Sequence, residues 1–277
     1  MSEIKNTDKG HPVEWPLRQV IPVHDVNLLR FSRDTSGLLD NLHLQAFIVR
    51  DGSVCYSNSE PGAAEIQFTR MNEESPAANG IELCLRLCRS VVKTRVFESN
   101  GTGYMETGIS FNGTPASLFV ANAGYTGLSF AGYVNHACRA GGIKRVLIVD
   151  DNSNVLDIYS AMLEMLGYET FAFTDPHTAM SKMSLADFDL LITDYDMPGM
   201  NGFELCTKLS MTRPGLPVII MSGSDHFPGK IRRSGCCKIP VSFMRKPFMY
   251  DNLCARLEVM EFFYTLEFYC RHFRNTL

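Results

Sequence analysis

The sequence predicts an α/β chain whose C-terminal half is a parallel sheet covered by helices on both faces, preceded by an α+β half with a small, mostly antiparallel sheet. Three observations predict it. From Lys144 onward, short near-continuous apolar runs (145–149, 190–193, 216–221, 241–244) alternate with stretches of helical spacing, the pattern of strands buried on both faces. Earlier, two runs flank Asp51-Gly52 and two more flank Asn112-Gly113, dipeptides that suit the positive φ of two-residue hairpin turns. A glycine-spaced stretch from Asn122 to Gly142 separates the two patterns and puts a boundary near residue 140.

The bulk properties agree with two folded domains. The chain has 277 residues, 45% of them apolar and 20% charged, enough to bury sizeable cores. Its 26 basic and 30 acidic residues leave a net charge of −4, spread evenly: 12 and 14 in residues 1–140, 14 and 16 in residues 141–277. That balance argues against a protein built to neutralise nucleic-acid phosphates. No apolar run approaches the ~20 residues of a membrane-spanning helix, and Met1 to Asn6 hold no apolar signal segment. We therefore expect a cytoplasmic protein with no membrane partner, whose nine cysteines are thiols, most simply read as small buried apolar side chains rather than metal ligands.

Residues 1–22, punctuated by Pro12, Pro16 and Pro22, read as a flexible lead-in to an α+β domain over 23–140. Leucines at 28, 29, 38, 39, 42 and 44 suggest one or two short helices. Residues 46–50 and 53–57 form a hairpin about Asp51-Gly52. Pro61 to Phe68 suits a short helix, with proline near its first turn. Apolar residues at 81, 84, 85, 88, 91 and 92 have the spacing of an amphipathic helix. Residues 108–111 and 116–121 make a second hairpin.

The C-terminal half, residues 141–260, opens with strand Arg145–Val149, ending in Asp150-Asp151. A helix follows, with apolar residues at 155, 158, 159, 162 and 166 and Gly167 placed to stop it. Residues 168–174 suit a strand and 176–183 a short helix. The next strand ends at Asp194, and a helix over 203–211 stops before Pro214. Strand 216–221 ends at Ser222-Gly223, and strand 241–244 precedes Arg245-Lys246-Pro247. From Asp251 the chain is helical, and residues 261–277 extend it with Phe262, Phe263, Tyr264, Phe268, Tyr269 and Phe273. Such an aromatic tail needs cover; docking on the first half and pairing with a second copy in a homodimer are both open to it.

In a parallel sheet of this kind the ligand site lies off the carboxyl ends of the strands. Those ends hold Asp150, Asp151, Asp194, Ser222 and Lys246. Three carboxylates on one rim call for a cation, and oxygen ligands with room for water suit Mg²⁺. A carboxylate beside Mg²⁺ and an ammonium can act as a nucleophile toward a phosphoryl group and form an acyl phosphate.

These residues carry a family resemblance. Residues 144–260 resemble the receiver domain of two-component response regulators in Val146-Leu147-Ile148-Val149-Asp150-Asp151-Asn152, in the run from Leu191 to Gly202 that includes Asp194-Tyr195-Asp196-Met197-Pro198-Gly199, in Val218 to Gly223, and in Phe243-Met244-Arg245-Lys246-Pro247-Phe248. The resemblance implies a five-stranded doubly wound, flavodoxin-like fold. It also implies Asp194 as phosphoacceptor, and Mg²⁺ held by Asp150, Asp151, Asp194 and the backbone carbonyl of Asp196. Ser222 would sense the phosphoryl group, Lys246 would pair with it, and Phe243 would be the switch aromatic. A histidine kinase or histidine phosphotransfer protein would be the donor. One departure stands out: the segment between Ser222 and Phe243, with Pro228, Gly229 and Pro240, is poor in helix formers where receivers place a helix on their switching face.

Residues 38–121 resemble a PAS sensory domain, in Leu38 to Leu42, in Ala46 to Ser57, and in Asn58, which would open the following helical segment. No residue names a ligand for this half. The length after the receiver leaves no room for a DNA-binding output domain, so the signal is expected to leave through a downstream protein partner. Two other readings stand beside this one: a pseudo-receiver scaffold not switched by phosphorylation, and an enzyme in the N-terminal half regulated by the receiver.

Overall fold

The computed structural model describes residues 28–32, 35, 38–42, 44–59, 80–87, 90–122, 124–127, 129–132, 142–183, 187–213, 215–223 and 241–273, with side chains to residue 266 in the last helix. The expected lead-in, the helix at 61–68 and the altered segment at 224–240 lie outside these residues.

The N-terminal half is a seven-stranded sheet. Its strands are β1 (Leu29–Phe31), β2 (Gln45–Arg50), β3 (Ser53–Ser57), β4 (Ile81–Leu87), β5 (Ser90–Ser99), β6 (Thr102–Phe111) and β7 (Thr114–Asn122). The order is β3-β2-β7-β6-β5-β4, all antiparallel, and β1 runs parallel to the end of β6 that β5 leaves uncovered. Among the described residues, its two-residue hairpin turns are Asp51-Gly52, Asn100-Gly101 and Asn112-Gly113, with both central residues at positive φ in each. The middle one is a hairpin that the two-turn reading lacks, although Asn100-Gly101 carries the same signal.

The helix expected over residues 81–92 is strand instead, and the start of the 28–44 stretch is strand too. Residues 81–92 form β4 and the start of β5, because Ile81, Leu83, Leu85 and Leu87 alternate strictly with Glu82, Cys84 and Arg86. That period of two outweighs the looser helical matches, and Val91 and Val92 add β-branched residues. Leu29 and Phe31 are likewise buried on either side of exposed Arg30. In that region Leu39–Asn41 turns as a short 3-10 helix, and Thr35 before it is helical as well. Cys84 on β4 and Cys55 on β3 are exposed, unlike buried Cys206.

Both faces of this sheet are apolar. On one, Phe47 stacks on its cross-strand neighbour Phe119 (5.2 Å between centroids) and Phe97 on Tyr104 (5.6 Å). The other face carries Ala46, Ile48, Val96, Met105, Ile109, Leu118 and Val120.

The C-terminal half is a five-stranded, wholly parallel sheet. Its strands β8 (Arg145–Val149), β9 (Glu169–Phe173), β10 (Leu190–Asp194), β11 (Val218–Ser222) and β12 (Val241–Arg245) lie in the order β12-β11-β10-β8-β9. Strand order therefore reverses between β8 and β10. Helices α1 (Ser153–Met165) and α4 (Tyr250–Phe273) cover one face, packing Leu156, Leu163 and Leu257 on Val146, Ile148, Ile192 and Ile219. Helices α2 (Pro176–Met183) and α3 (Gly202–Thr212) cover the other, packing Ala179, Leu205 and Leu209 on Leu147, Val149, Leu191 and Val218. Successive strand residues thus enter opposite cores.

Helix α4 belongs to both halves. Its 24 residues continue without a break through the aromatic extension, and Leu257, Met260, Phe262, Phe263 and Leu266 are at most 1% exposed. Phe263 meets Phe31 of β1 edge-on, 5.7 Å between centroids and 80° between planes. One continuous apolar core therefore runs from the N-terminal sheet across α4 into the parallel sheet. Of the two places open to the tail, its described aromatic residues occupy the intramolecular one. Tyr264 anchors the helix from the side: its hydroxyl donates to Asp189 (3.0 Å), whose other oxygen accepts the Lys144 and Arg145 backbone N–H groups (2.8 and 2.9 Å). Burial, then the Asp189 charge, holds the Tyr264 phenol well above its ordinary pKa.

Candidate functional site

The carboxyl ends of β8 and β10 face each other where the strand order reverses, the place an open α/β sheet keeps for ligands. Asp150 follows β8 and Asp194 is the last residue of β10; they are 1% and 6% exposed. Two asparagines start the helices that leave this rim. Asn152 caps α1 by accepting the Asn154 N–H, and Asn201 caps α3 in a reciprocal box with Glu204. Asp150 Oδ1 accepts the Asn152 N–H (3.1 Å), which fixes that carboxylate against the turn. Asp194 Oδ2 accepts the Asp196 N–H (2.9 Å).

Lys246, one residue beyond β12, reaches across the end of β11. Its ammonium bonds Asp150 Oδ2 and lies 2.6 Å from Asp194 Oδ1. Its own N–H donates to the Ser222 carbonyl (2.8 Å), so the ends of β11 and β12 position it together. Two carboxylates and one ammonium leave the group one negative charge in excess.

The electrostatics follow from burial and mutual charge. Burial pushes the Asp194 carboxyl above its ordinary pKa, and the Asp150 charge adds to this, while Lys246 and the Asp196 N–H pull it down without overcoming burial. Burial alone would depress the Lys246 amine; its bonds to Asp150 and Asp194 outweigh that and raise it. Lys246 therefore stays an ammonium at neutral pH, and Asp194 is the less comfortable charge of the pair.

Of the residues singled out from the sequence, Asp150, Asp194 and Lys246 converge directly. Ser222, 2% exposed, joins them through its carbonyl. Asp151 is exposed at the rim beside Asp150, and Asp196 is exposed with its N–H turned to Asp194. Phe243 is 7% exposed, in the core under α2 and α3 and in register with Ile220. Among the described residues, no group of three or more His, Cys, Asp or Glu side chains is gathered closely enough to hold a metal ion. Lys246 bonds both buried acids instead.

Sequence reasoning passed over three residues. A Cβ on Gly202 would lie 2.1 Å from the Asp194 carbonyl oxygen, so the start of α3 presses on the acid's backbone only because that residue is glycine. Tyr159 and Phe248 stack beside the lysine, with centroids 4.2 Å apart. Apolar spacing marked Tyr159 for a core and Phe248 stood at the end of a receiver motif, and neither signal tells a core against a sheet from a core beneath a rim.

A family model described as the response regulator receiver domain matches residues 146–258. Residues 146–258 are a response regulator receiver domain. The receiver is 43% identical over 83 residues to a protein of Arabidopsis thaliana named as a two-component response regulator, ARR21; that alignment covers 29% of this chain and 14% of the other. It is 27% identical over 116 residues to the cell cycle response regulator CtrA of Brucella ovis, covering 42% of this chain and 49% of that protein. The chain thus spans about half or less of the length of these curated relatives. Among solved structures, the chemotaxis protein CheY4 of Vibrio cholerae is 28% identical, covering 42% of this chain and 97% of that one, at a TM-score of 0.38. The receiver has the five-stranded parallel, doubly wound fold read from the sequence, and the N-terminal antiparallel sheet is present beside it. No helix among the described residues is long and apolar enough to cross a membrane.

Proposed function

We propose that this protein is a phosphorelay response regulator that accepts a phosphoryl group on Asp194 and passes the signal on through protein contacts. The observation that carries this reading is the Lys246 ammonium held between Asp150 and Asp194 at the switch point of the sheet. Asp194 is the candidate nucleophile because it ends its strand and its Oδ1 is the atom turned to the lysine. In the transfer, an Asp194 carboxylate oxygen forms a bond to phosphorus as the phosphorus–nitrogen bond of a donor phosphohistidine breaks. The electron pair of that bond stays on the leaving imidazole, and Asp194 is left as an acyl phosphate. Lys246 offsets charge on the arriving phosphoryl oxygens. Ser222, at the end of the neighbouring strand, is the candidate hydroxyl to donate to one of them.

The donor chemistry suits Mg²⁺, being oxygen only with a net negative charge, although with Lys246 bonded to both buried acids the described carboxylates are not gathered around an ion. Asp150, Asp151, Asp194 and the Asp196 carbonyl would hold the ion. When bound, it supplies positive charge to the transferring phosphoryl group.

We read the N-terminal half as a PAS-like sensory module. Two features support this: its first hairpin, β2–β3, lies beside its last strand, β7, and Asn58 pins the turn before that hairpin. The Asn58 side chain donates to the Leu39 and Leu44 carbonyls (2.6 and 2.9 Å) and accepts the Ala46 N–H (2.7 Å). Helix α4, which starts four residues after Lys246 and ends its described side chains against β1, is the natural path for a signal between halves.

The full chain incubated with acetyl phosphate and Mg²⁺ tests the reading. Wild type is expected to gain one phosphoryl group and Asp194→Asn none. Equal labelling of the two, or none in wild type, overturns it and leaves the scaffold reading.

A further inference from the structure

The lysine's head is held by two acids, but its position also depends on what holds its backbone. A lysine carries four rotatable bonds, so the placement of its ammonium is set by how firmly its Cα is fixed. On one side the Lys246 N–H is bonded to the Ser222 carbonyl. On the other, two residues along, Phe248 lies flat against Tyr159 of α1, with ring centroids 4.2 Å apart and planes at 15°. Both rings are buried, Tyr159 at 9% and Phe248 at 8% exposure. The same helix is anchored at its start by Asn152, whose N–H bonds Asp150. The stack therefore ties the strand that delivers the lysine to the helix that follows the first acid.

The phenol also feels the site. Burial raises its pKa most, the Lys246 charge lowers it, and the Asp150 and Asp194 charges raise it.

We propose that Tyr159 is a positioning residue: its ring clamps Phe248 and so keeps the Lys246 ammonium between Asp150 and Asp194. This rests on the reading of Asp194 as phosphoacceptor for its rate readout, and on geometry alone for its exchange readout. The ring carries the effect, so Tyr159→Phe should behave as wild type and Tyr159→Leu should not.

The test uses the full chain with acetyl phosphate and Mg²⁺. Tyr159→Leu is expected to lower the maximal rate of labelling five- to tenfold and leave the half-saturating acetyl phosphate concentration unchanged. Tyr159→Phe is expected to stay within twofold of wild type. Amide hydrogen exchange at Lys246 should quicken about tenfold in Tyr159→Leu only. Leu163→Ala, a fully buried site on the same helix away from the acids, serves as the stability control and should keep the rate. If Tyr159→Leu does not fold, Phe248→Leu removes the same stack from the other side and is read in its place. Wild-type rate and exchange in the stack-less variant overturn the proposal, as does equal slowing in Leu163→Ala. If wild type itself takes no label, the phosphoacceptor reading fails, and exchange at Lys246 alone decides whether Tyr159 positions it.

Discussion

Each half of this protein carries a polar knot at the edge of its sheet, and the two knots differ in what they leave unspent. Asn58 in the N-terminal half is neutral, and its side chain bonds three backbone groups: two carbonyls and one N–H. The knot of Asp150, Asp194 and Lys246 keeps a surplus negative charge, one acid whose ionised form is disfavoured by burial, and a third acid waiting at the surface. A knot whose bonds all close inside the chain fastens structure. A knot with surplus charge at a sheet's switch point leaves charge that no group within it offsets.

That contrast can be broken at three points. The largest effect is expected where the halves share their core. Phe263→Ala should cost about 3–5 kcal/mol and split thermal unfolding into two transitions, read by calorimetry; a single transition at the wild-type temperature would mean that the halves do not depend on one another. Asn58→Ala comes next. It leaves up to three backbone groups without their partner, at about 1–3 kcal/mol for each one that water cannot reach, so a loss on the order of 3 kcal/mol is expected in denaturant titration. Acetyl phosphate labelling at Asp194 should be unchanged in the fraction that remains folded.

The smallest effect is the most diagnostic. The folded-state pKa of Asp194 is raised, so the folded protein binds that proton more tightly than the unfolded chain does. Ionised Asp194 therefore costs stability at neutral pH, and the cost fades as pH falls through the raised value. Asp194→Asn should melt slightly above wild type at pH 7, and the gap should close on acidification toward pH 4. A variant that melts below wild type at pH 7 would show that the acid is held for its bond to Lys246, like Asn58, and not in spite of its charge.

The sequence revealed these two knots unequally. Asp150, Asp194 and Lys246 were legible because a parallel sheet puts the ends of its strands on one rim, so three distant motifs need only the strand pattern to be brought together. The geometry between them was not legible: Asp151 lies beside the pair rather than within it, and the stack of Tyr159 on Phe248 looks in sequence like any two core aromatics. Gly202 stood inside a quoted motif, but only coordinates show the Asp194 carbonyl pressing on it. In the N-terminal half, hairpin turns were readable from Asp-Gly and Asn-Gly, while residues 81–92 misled because a strand buried on one face also satisfies several helical spacings. Asn58 was visible as a letter in a motif, and its three bonds were not.

The reach of α4 has a practical corollary. At 1.5 Å per residue its 24 residues extend about 36 Å, and the family match stops at residue 258, partway along it. A fragment trimmed at that border would lose Met260, Phe262, Phe263 and Leu266, stripping the floor from beneath Phe31 and Ile109. What looks like a clean seam by homology is a weld in the folded molecule.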